Sequence, residues 1–189
     1  MLALVFACPQ TLAAKFGKEA NKTLDVRILV DVSKNMKTSD IEGFRQSSVK
    51  LFSTLLPNGA QTGIWIFDDH VTELMPVSKV SDGWRAKALE SVKNIHAKGE
   101  ISHLEKALAV STLDWVAPDN TAKRHVVVLT DGQVSVGSSK RKNLTSKDRV
   151  QNVQIERLKT LGVYVHVIAF SEDADKVLLE KLAMDTKGW

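Results

Sequence analysis

Residues 28–36, ILVDVSKNM, decide how we expect this chain to fold. An apolar run ends at Asp31, and Ser33 and Asn35 follow it at alternate positions. In an extended or turning segment, side chains two residues apart project to the same side, so these three can converge on one point. The stretch therefore predicts a buried strand that ends in a cluster of oxygen-bearing side chains.

Similar apolar runs recur along the chain and alternate with segments of helical period. Two of them, HVVVLTD and VYVHVIAF, are rich in β-branched residues, which is typical of strands buried on both faces. The alternation predicts an α/β fold with three layers, a doubly wound, mostly parallel sheet covered by helices on both faces. The predicted strands are residues 24–31, 62–67, 71–75, 124–130 and 163–170.

Five helices are predicted among these strands. In residues 39–56, helical spacing would bury one apolar face made of Ile41, Phe44, Leu51, Phe52 and Leu55. In residues 81–95 the buried stripe would be Trp84, Ala88, Val92 and Ile95. A third helix is expected in residues 102–115, and the last two in residues 145–161 and 173–184. Ser39 with Glu42, and Ser102 with Glu105, have the spacing of capping boxes.

Length and charge limit the kind of protein this can be. The 189 residues are enough for one domain with a substantial core and too few for two, and 43% hydrophobic with 25% charged residues is typical of a globular protein. The net charge of +4 is spread along the chain, which argues against a nucleic-acid-binding surface. The densest basic stretch, KRKNLTSKDR, is interpreted as a solvated loop leading into a helix rather than a docking patch.

The two ends of the sequence suggest an exported protein. Residues 1–14 resemble a secretory leader, with an apolar run followed by small residues, and they would leave a single domain over residues 20–189 in the periplasm, cell envelope or medium. The alternative is an N-terminal strand or a ragged terminus. Cys8, the only cysteine, would leave with the leader or, alternatively, carry a lipid. No later run approaches about 20 apolar residues, so no membrane span is predicted. The alternation calls for one more strand beyond Trp189, and a membrane anchor could follow it.

A second carboxylate ends another predicted strand, at Asp131 in HVVVLTDG. Open parallel sheets bind ligands beyond the carboxyl ends of their strands, where the strand order reverses. If the strands ending at Asp31 and Asp131 are parallel neighbours, the two carboxylates share one crevice, and a proton or a cation must relieve their repulsion. Carboxylate, hydroxyl and amide oxygens favour Mg²⁺ or Ca²⁺ over zinc or copper.

Three segments together resemble the von Willebrand factor A (VWA) domain and its metal-ion-dependent adhesion site. They are DVSKN at residues 31–35, GEISHLEKAL at residues 99–108 and TDG at residues 130–132, and the closing residues 169–189 are similar to bacterial envelope members of that family. The resemblance implies a Rossmann-like sheet and one bound divalent cation, Mg²⁺ or else Ca²⁺ or Mn²⁺. It implies that the cation is held by Asp31, Ser33, Asn35, Ser102 and Asp131, the last directly or through water, with a position open for an acidic residue of a partner protein.

The sequence departs from the family pattern at three positions. Asn35 stands where the family has Ser, Ser102 where Thr is usual, and Glu105 where a small residue is usual. These changes leave the fold prediction intact and leave the metal affinity open. Each residue also has an ordinary structural role available: Ser102 could cap its helix, and the residues after Asp31 and Asp131 could form turns.

The sequence therefore predicts a non-enzymatic protein-binding module that depends on a cation. One alternative is a metal-silent scaffolding domain. Another is a magnesium-dependent hydrolase with Asp31 as nucleophile, although no base is assigned and no phosphate-binding or nucleophile-elbow motif is present. Asp68, Asp69 and His70 are attributed to a hairpin turn, and the remaining histidines considered show no partner spacing and are given core or surface roles: His103, His125 and His166.

Overall fold

A single five-stranded sheet organises residues 22–189, the part of the chain that the computed structural model describes. The predicted leader and Cys8 lie outside those residues. The strands are β1 (Thr23–Asp31), β2 (Gln61–Phe67), β3 (Val71–Lys79), β4 (Ala122–Thr130) and β5 (Val163–Ala169). Their order is β3-β2-β1-β4-β5, with β3 antiparallel to β2 and every other neighbouring pair parallel. The predicted mostly parallel sheet is confirmed.

Seven α-helices connect and follow these strands in the described residues. They are α1 (Met36–Ser39), α2 (Phe44–Leu55), α3 (Asp82–Ser91), α4 (Leu104–Ser111), α5 (Lys140–Arg149), α6 (Ile155–Thr160) and α7 (Lys176–Asp185). A 3-10 turn, Val92–Asn94, follows α3, and a π-helical segment, Val150–Gln154, joins α5 to α6. Within residues 22–189, none of the helices has the length and apolar character needed to cross a bilayer.

Strand order reverses beside β1, and this reversal creates the crevice in which a site can form. From β1 the chain adds β2 and β3 on one side and then returns to add β4 and β5 on the other. In the register, Asp31 lies opposite Phe67 of β2, and Val30 lies opposite Leu129 of β4. The carboxyl ends of β1 and β4 therefore open at the same rim, at the position where doubly wound sheets bind ligands.

Two hydrophobic layers cover the sheet, as predicted. Alternate residues of β1 point to opposite faces, so Ile28 and Val30 pack in one layer and Leu29 in the other. The first layer contains residues of α2 and α3, among them Val49, Trp84 and Ala88. The second contains residues of α4, α6 and α7, among them Leu108, Leu158 and Leu182. The buried stripe predicted for residues 81–95 is confirmed: Trp84, Ala88, Val92 and Ile95 are all at most 5% exposed.

The buried face predicted for α2 is wrong. Four of its five members are largely solvent-exposed: Ile41 (80%), Phe44 (55%), Leu51 (56%) and Leu55 (67%). The face that packs on the sheet carries Arg45, Val49 and Ser53 instead. Arg45 turns inward because its guanidinium group finds buried hydrogen-bond acceptors. The helical period was correct, but polar residues occupy the buried side.

Helix starts also differ from prediction. The expected capping boxes do not form: α2 begins at Phe44 with Gly43 at its N-cap, and α4 begins at Leu104 without a side-chain cap. The basic stretch KRKNLTSKDR is itself the helix α5 and not a loop before one. Its helix therefore starts five residues earlier than predicted, with Ser139 as the cap.

Candidate metal centre

Asp31 is the point at which three segments of the chain meet. Its side chain is fully buried at the end of β1. One carboxylate oxygen, Oδ1, accepts the backbone N–H of Ser33 at 2.9 Å. The other, Oδ2, accepts the hydroxyl groups of Ser102 at 2.9 Å and Thr130 at 2.7 Å. Because Ser102 precedes α4 and Thr130 ends β4, the carboxylate fixes the positions of two distant loops relative to its own.

Backbone hydrogen bonds hold these loops together independently of the side chains. The carbonyl oxygen of Val32 accepts the N–H groups of Lys98 and Gly99 at 2.9 and 3.3 Å. On the other side, the N–H of Ser102 donates to the carbonyl oxygen of Ser135 at 2.6 Å. The loop before α4 is thus joined by backbone hydrogen bonds to the loop after β1 and to the loop after β4.

Asp131 and Ser33 each have a buried side-chain oxygen without a hydrogen-bond partner among the described residues. The Oδ1 atom of Asp131 accepts the N–H of Gln133 at 3.0 Å, but its Oδ2 atom is buried and has no hydrogen-bond partner among the described residues. The hydroxyl oxygen of Ser33 is likewise buried and unpartnered within residues 22–189. Buried polar atoms are nearly always paired, because leaving one unpaired costs about 1–3 kcal/mol. Two such oxygens on neighbouring loops fit a cation that prefers oxygen ligands.

The raised pKa values of Asp31 and Asp131 also favour a cation at this position. Burial raises the pKa of Asp31 above its usual value, against the hydrogen bonds from the Ser33 backbone N–H and the Thr130 hydroxyl, and the charge of Asp131 raises it further. Burial also raises the pKa of Asp131, against the hydrogen bond from the backbone N–H of Gln133. Two carboxyl groups that resist ionisation together are stabilised in their ionised forms by a nearby cation.

Arg45 supports the site and was missed in the sequence. Its buried guanidinium donates through Nη1 to the backbone carbonyl of Asp31 at 2.5 Å and through Nε to the carboxylate of Asp40 at 2.6 Å. Asp40 also accepts the first backbone N–H groups of α2, from Phe44 at 2.6 Å and from Arg45 at 3.2 Å. The positive charge of Arg45 offsets part of the rise that burial causes in the pKa of Asp131. The sequence did contain a signal for this pair: Asp40 lies just before the start of a helix, and Arg45 follows it five residues later.

The five predicted ligands all lie at one rim of the sheet, but they differ in burial and in their hydrogen bonds. Asp31 contacts Ser33 and Ser102 directly, and Asp131 lies at the end of the neighbouring strand. Asn35 is exposed, and its amide donates to the Gln133 side chain at 3.2 Å. The alternative role of Ser102 as a helix cap is not observed, because its hydroxyl donates to Asp31 and α4 has no side-chain cap.

Glu105, the third departure from the family pattern, does not reach the centre. Its carboxylate accepts the Ser146 hydroxyl at 3.2 Å and lies 3.6 Å from Arg149, which joins α4 to α5. Among described residues no cluster of three or more His, Cys, Asp or Glu side chains has the geometry of a metal site, so the donor set depends on hydroxyl and amide groups beside two carboxylates.

The other polar residues considered in the sequence have structural roles. Asp68, Asp69 and His70 form the predicted turn between β2 and β3, which is confirmed. Two of the histidines, whose sequence spacing indicated no partner, contact each other: Nδ1 of His125 lies 2.9 Å from Nε2 of His166 across β4 and β5.

A doubly wound sheet with loops that converge at its switch point defines an α/β domain of the class in which ligands bind at that position. The von Willebrand factor type A domain family matches residues 25–188, and the chain belongs to that family. A comparison with curated proteins finds no matching sequence.

Solved structures share this fold at low sequence identity. A von Willebrand factor type A protein from Catenulispora acidiphila is 20% identical, with a TM-score of 0.70 over 89% of this chain and 38% of its own, so this chain spans well under half of it. An aerotolerance-related membrane protein from Bacteroides fragilis is 16% identical, with a TM-score of 0.63 over 87% and 89%. The PilB minor pilin from Streptococcus sanguinis is 12% identical, with a TM-score of 0.62 over 88% and 55%.

Proposed function

We propose that this domain is a non-enzymatic protein-binding module in which a divalent cation at the carboxyl edge of the sheet coordinates an acidic residue of a partner. The observation that carries the proposal is the pair of buried, unpartnered oxygens, Ser33 Oγ and Asp131 Oδ2, beside the hydrogen-bonded carboxylate of Asp31. Asp31, Ser33, Asn35, Ser102 and Asp131 would hold Mg²⁺, or alternatively Ca²⁺ or Mn²⁺. The bound cation supplies attraction for an incoming carboxylate.

The residues of this chain would do two things for such a cation. The hydrogen bonds of Ser102 and Thr130 to Asp31 fix its carboxylate before any ligand arrives, so little conformational entropy is lost on binding. The two carboxylates neutralise a divalent charge only in part, because they are shared with neighbouring N–H and hydroxyl donors. In a site of reduced hydration the remaining attraction for a partner's carboxylate is stronger than in water.

A location at the cell surface or in the cell envelope is part of the proposal. Two structures with this fold are described as a membrane protein and as a minor pilin. Together with the leader-like residues 1–14, they support export of this chain to the periplasm, envelope or medium.

Ser33→Ala gives the sharpest test, because the hydroxyl it removes has no partner among the described residues. We expect the metal-free variant to be as stable as the wild type, and its thermal stabilisation by Mg²⁺, Ca²⁺ or Mn²⁺ to be much smaller. A cation at 100 times its Kd stabilises a protein by about 2.7 kcal/mol. Asp31→Ala should lose the response entirely, whereas Glu73→Ala, an exposed change on β3, should retain it.

One observation favours the metal-silent alternative. The buried guanidinium of Arg45 already places a fixed positive charge near Asp131, which could take over part of a cation's role in a scaffolding domain. A wild-type protein that none of the three cations stabilises, or that they stabilise as strongly after Ser33→Ala, would favour that alternative. Cation-dependent turnover of p-nitrophenyl phosphate, lost in Asp31→Ala, would instead favour the hydrolase.

A further inference from the structure

A groove of about 590 Å³ opens beside the candidate centre, between the start of α4 and the length of α5. His103 and Glu105 line it on the α4 side. Arg141, Lys142 and Arg149 line it on the α5 side. The groove is thus a surface depression whose longer wall is basic.

The positive charge of that wall is largely uncompensated. Across its ten residues α5 has one acidic side chain, Asp148, and five basic ones: Lys140, Arg141, Lys142, Lys147 and Arg149. Lys147 is paired with Asp175 at 2.6 Å, and Arg149 reaches Glu105 at 3.6 Å. Arg141 and Lys142 are exposed, and neither forms an ion pair with any residue in the range 22–189. Two free cations therefore face the groove.

The groove begins where the candidate centre ends. His103 directly follows Ser102, whose hydroxyl donates to Asp31. Val136, also in the groove wall, directly follows Ser135, whose carbonyl oxygen accepts the N–H of Ser102. A polypeptide with one side chain at the centre would enter the groove within its next few residues.

We propose that this groove is the second half of the partner-binding surface, and that it takes an acidic segment of the partner next to the carboxylate held at the centre. This inference rests on the proposed function. Arg141 and Lys142 attract carboxylates of that segment, and the opposite wall is held in place by the hydrogen bond between Ser146 and Glu105. The partner is therefore a protein with a cluster of Asp or Glu residues, of which one binds the cation.

The position of Glu105 favours a peptide over a uniformly charged polymer. Its carboxylate lines the groove opposite the free cations and is 22% exposed. A nucleic acid or a sulfated polysaccharide carries anionic groups at every repeat and would bring some of them against Glu105. A peptide with spaced carboxylates can place neutral residues there and still reach Arg141 and Lys142.

Two labelled peptides of equal length test the inference by fluorescence anisotropy. One carries a single Asp among Gly and Ser residues, and the other carries the same Asp followed by three spaced Glu residues. With Mg²⁺, the wild type should bind the acid-rich peptide about fivefold more tightly, a gain expected of two exposed ion pairs. The gain should shrink as salt is added, because salt screens exposed charges.

The double variant Arg141→Gln, Lys142→Gln should lose this gain and retain Mg²⁺-dependent binding of the single-Asp peptide. The matched control is Lys50→Gln with Lys87→Gln, two exposed lysines on α2 and α3, whose layer covers the other face of the sheet. This control should keep the gain.

The failures of the two proposals are distinguishable. If the Arg141, Lys142 variant keeps the gain, or if heparin or single-stranded DNA binds the wild type more tightly than the acid-rich peptide, the groove inference is overturned and the metal proposal is not. If the gain is present in EDTA and survives Ser33→Ala but is lost in the Arg141, Lys142 variant, the groove inference holds and the metal proposal fails. If neither peptide binds at all, both are wrong.

Discussion

Gly99 occupies a position in the rim that has no room for a side chain. It is buried, and its N–H donates to the carbonyl oxygen of Val32 at 3.3 Å in the bridge that joins two loops of the site. A Cβ atom added there would collide with the Cβ atom and carboxylate of Asp68. The close approach of the Asp68 side chain to the backbone of residue 99 therefore requires glycine.

We predict that Gly99→Ala lowers the free energy of unfolding by about 1–3 kcal/mol, the usual cost of forcing extra atoms into a packed site. Urea denaturation measures this. The control is Gly83→Ala in α3, where the nearest atom to the new methyl group is Ser81 Oγ at 4.0 Å. Alanine is a better helix former than glycine, and Gly83 is the second residue of α3, so Gly83→Ala should not destabilise the domain. Equal stabilities for the two variants would contradict the account.

At the same scale, the sequence could indicate the candidate ligands but not the residues that hold them in place. The alternate spacing of Asp31 and Ser33 is a local pattern and is visible in one segment. The contributions of Thr130 and Arg45 are not, because they depend on which loops the fold brings together. Thr130 donates to Asp31 from 99 positions away in sequence. Arg45 reaches Asp31 only because α2 packs with that side chain inward.

The strands β4 and β5 are joined by a histidine pair as well as by their backbones. The rings of His125 and His166 stack with centroids 5.2 Å apart, and Tyr164 stacks on His125 at 5.1 Å. Burial, together with the nearby His166 and Lys123, lowers the pKa of His125 to about 4. Burial also lowers the pKa of His166.

This pair predicts acid sensitivity. The unfolded chain binds a proton at His125 near pH 6.5, whereas the folded chain does so only near about pH 4. Between these values the unfolded state holds more protons, so the stability from this group is complete above pH 6.5 and is lost as the pH falls towards about 4. His125→Gln should flatten the fall in urea midpoint over that range, and His96→Gln, at an exposed position, should not. A parallel fall in His125→Gln and the wild type would refute this assignment.

Helices show why element-scale prediction succeeded in one case and failed in another. In α3, Trp84 and Ala88 are apolar residues that also face the core, so periodicity and burial agree. In α2 the most apolar face points to solvent, because Arg45 has buried partners that outweigh the hydrophobic preference of the opposite face. A hydrophobic pattern predicts helix orientation only where no buried ion pair competes with it.

For the molecule as a whole, a second cluster anchors the amino end of the sheet, opposite the candidate centre. Arg27 is 2% exposed, and its guanidinium donates to both carboxylate oxygens of Asp25 at 3.0 Å. It also donates to one carboxylate oxygen of Asp114 at 2.9 Å. Its guanidinium carbon lies 4.7 Å from the ring centroid of Trp115 and 5.7 Å from that of Trp65. Trp115 also donates to Asp25 at 3.0 Å. The cluster ties the central strands to the segment after α4.

We predict that Asp25→Ala destabilises the domain by about 3–5 kcal/mol, because it leaves the buried charge of Arg27 without its main partner. Glu100→Ala is the control, since it breaks an ion pair with Lys34 whose side chains are 60% and 69% exposed, and it should cost less than about 1 kcal/mol. Chemical denaturation measures both. Stabilisation by Mg²⁺ should be unchanged in Asp25→Ala, because the cluster lies at the far end of β1. Similar costs for the two variants would show that the cluster is not a structural anchor.

The architecture was largely predictable from alternating strands and helices, because local periodicity reports each element separately. The order of the strands in the sheet was harder to predict from the sequence. Whether β1 pairs with both β2 and β4 depends on the path of the connections, which no single segment encodes, and the shared rim of Asp31 and Asp131 follows from that pairing. The extension of β3 to Lys79 was also missed, since Pro76 interrupts an edge strand without ending it.

The most direct test of the central claim is anomalous diffraction from crystals of this domain grown with Mn²⁺, measured at the manganese edge. We predict a single strong peak in the crevice bounded by Asp31, Ser33, Ser102 and Asp131, and no such peak in crystals of Ser33→Ala grown under the same conditions. No peak there in the wild-type crystals, with Ser33 Oγ and Asp131 Oδ2 bonded to water or protein groups instead, would contradict the account.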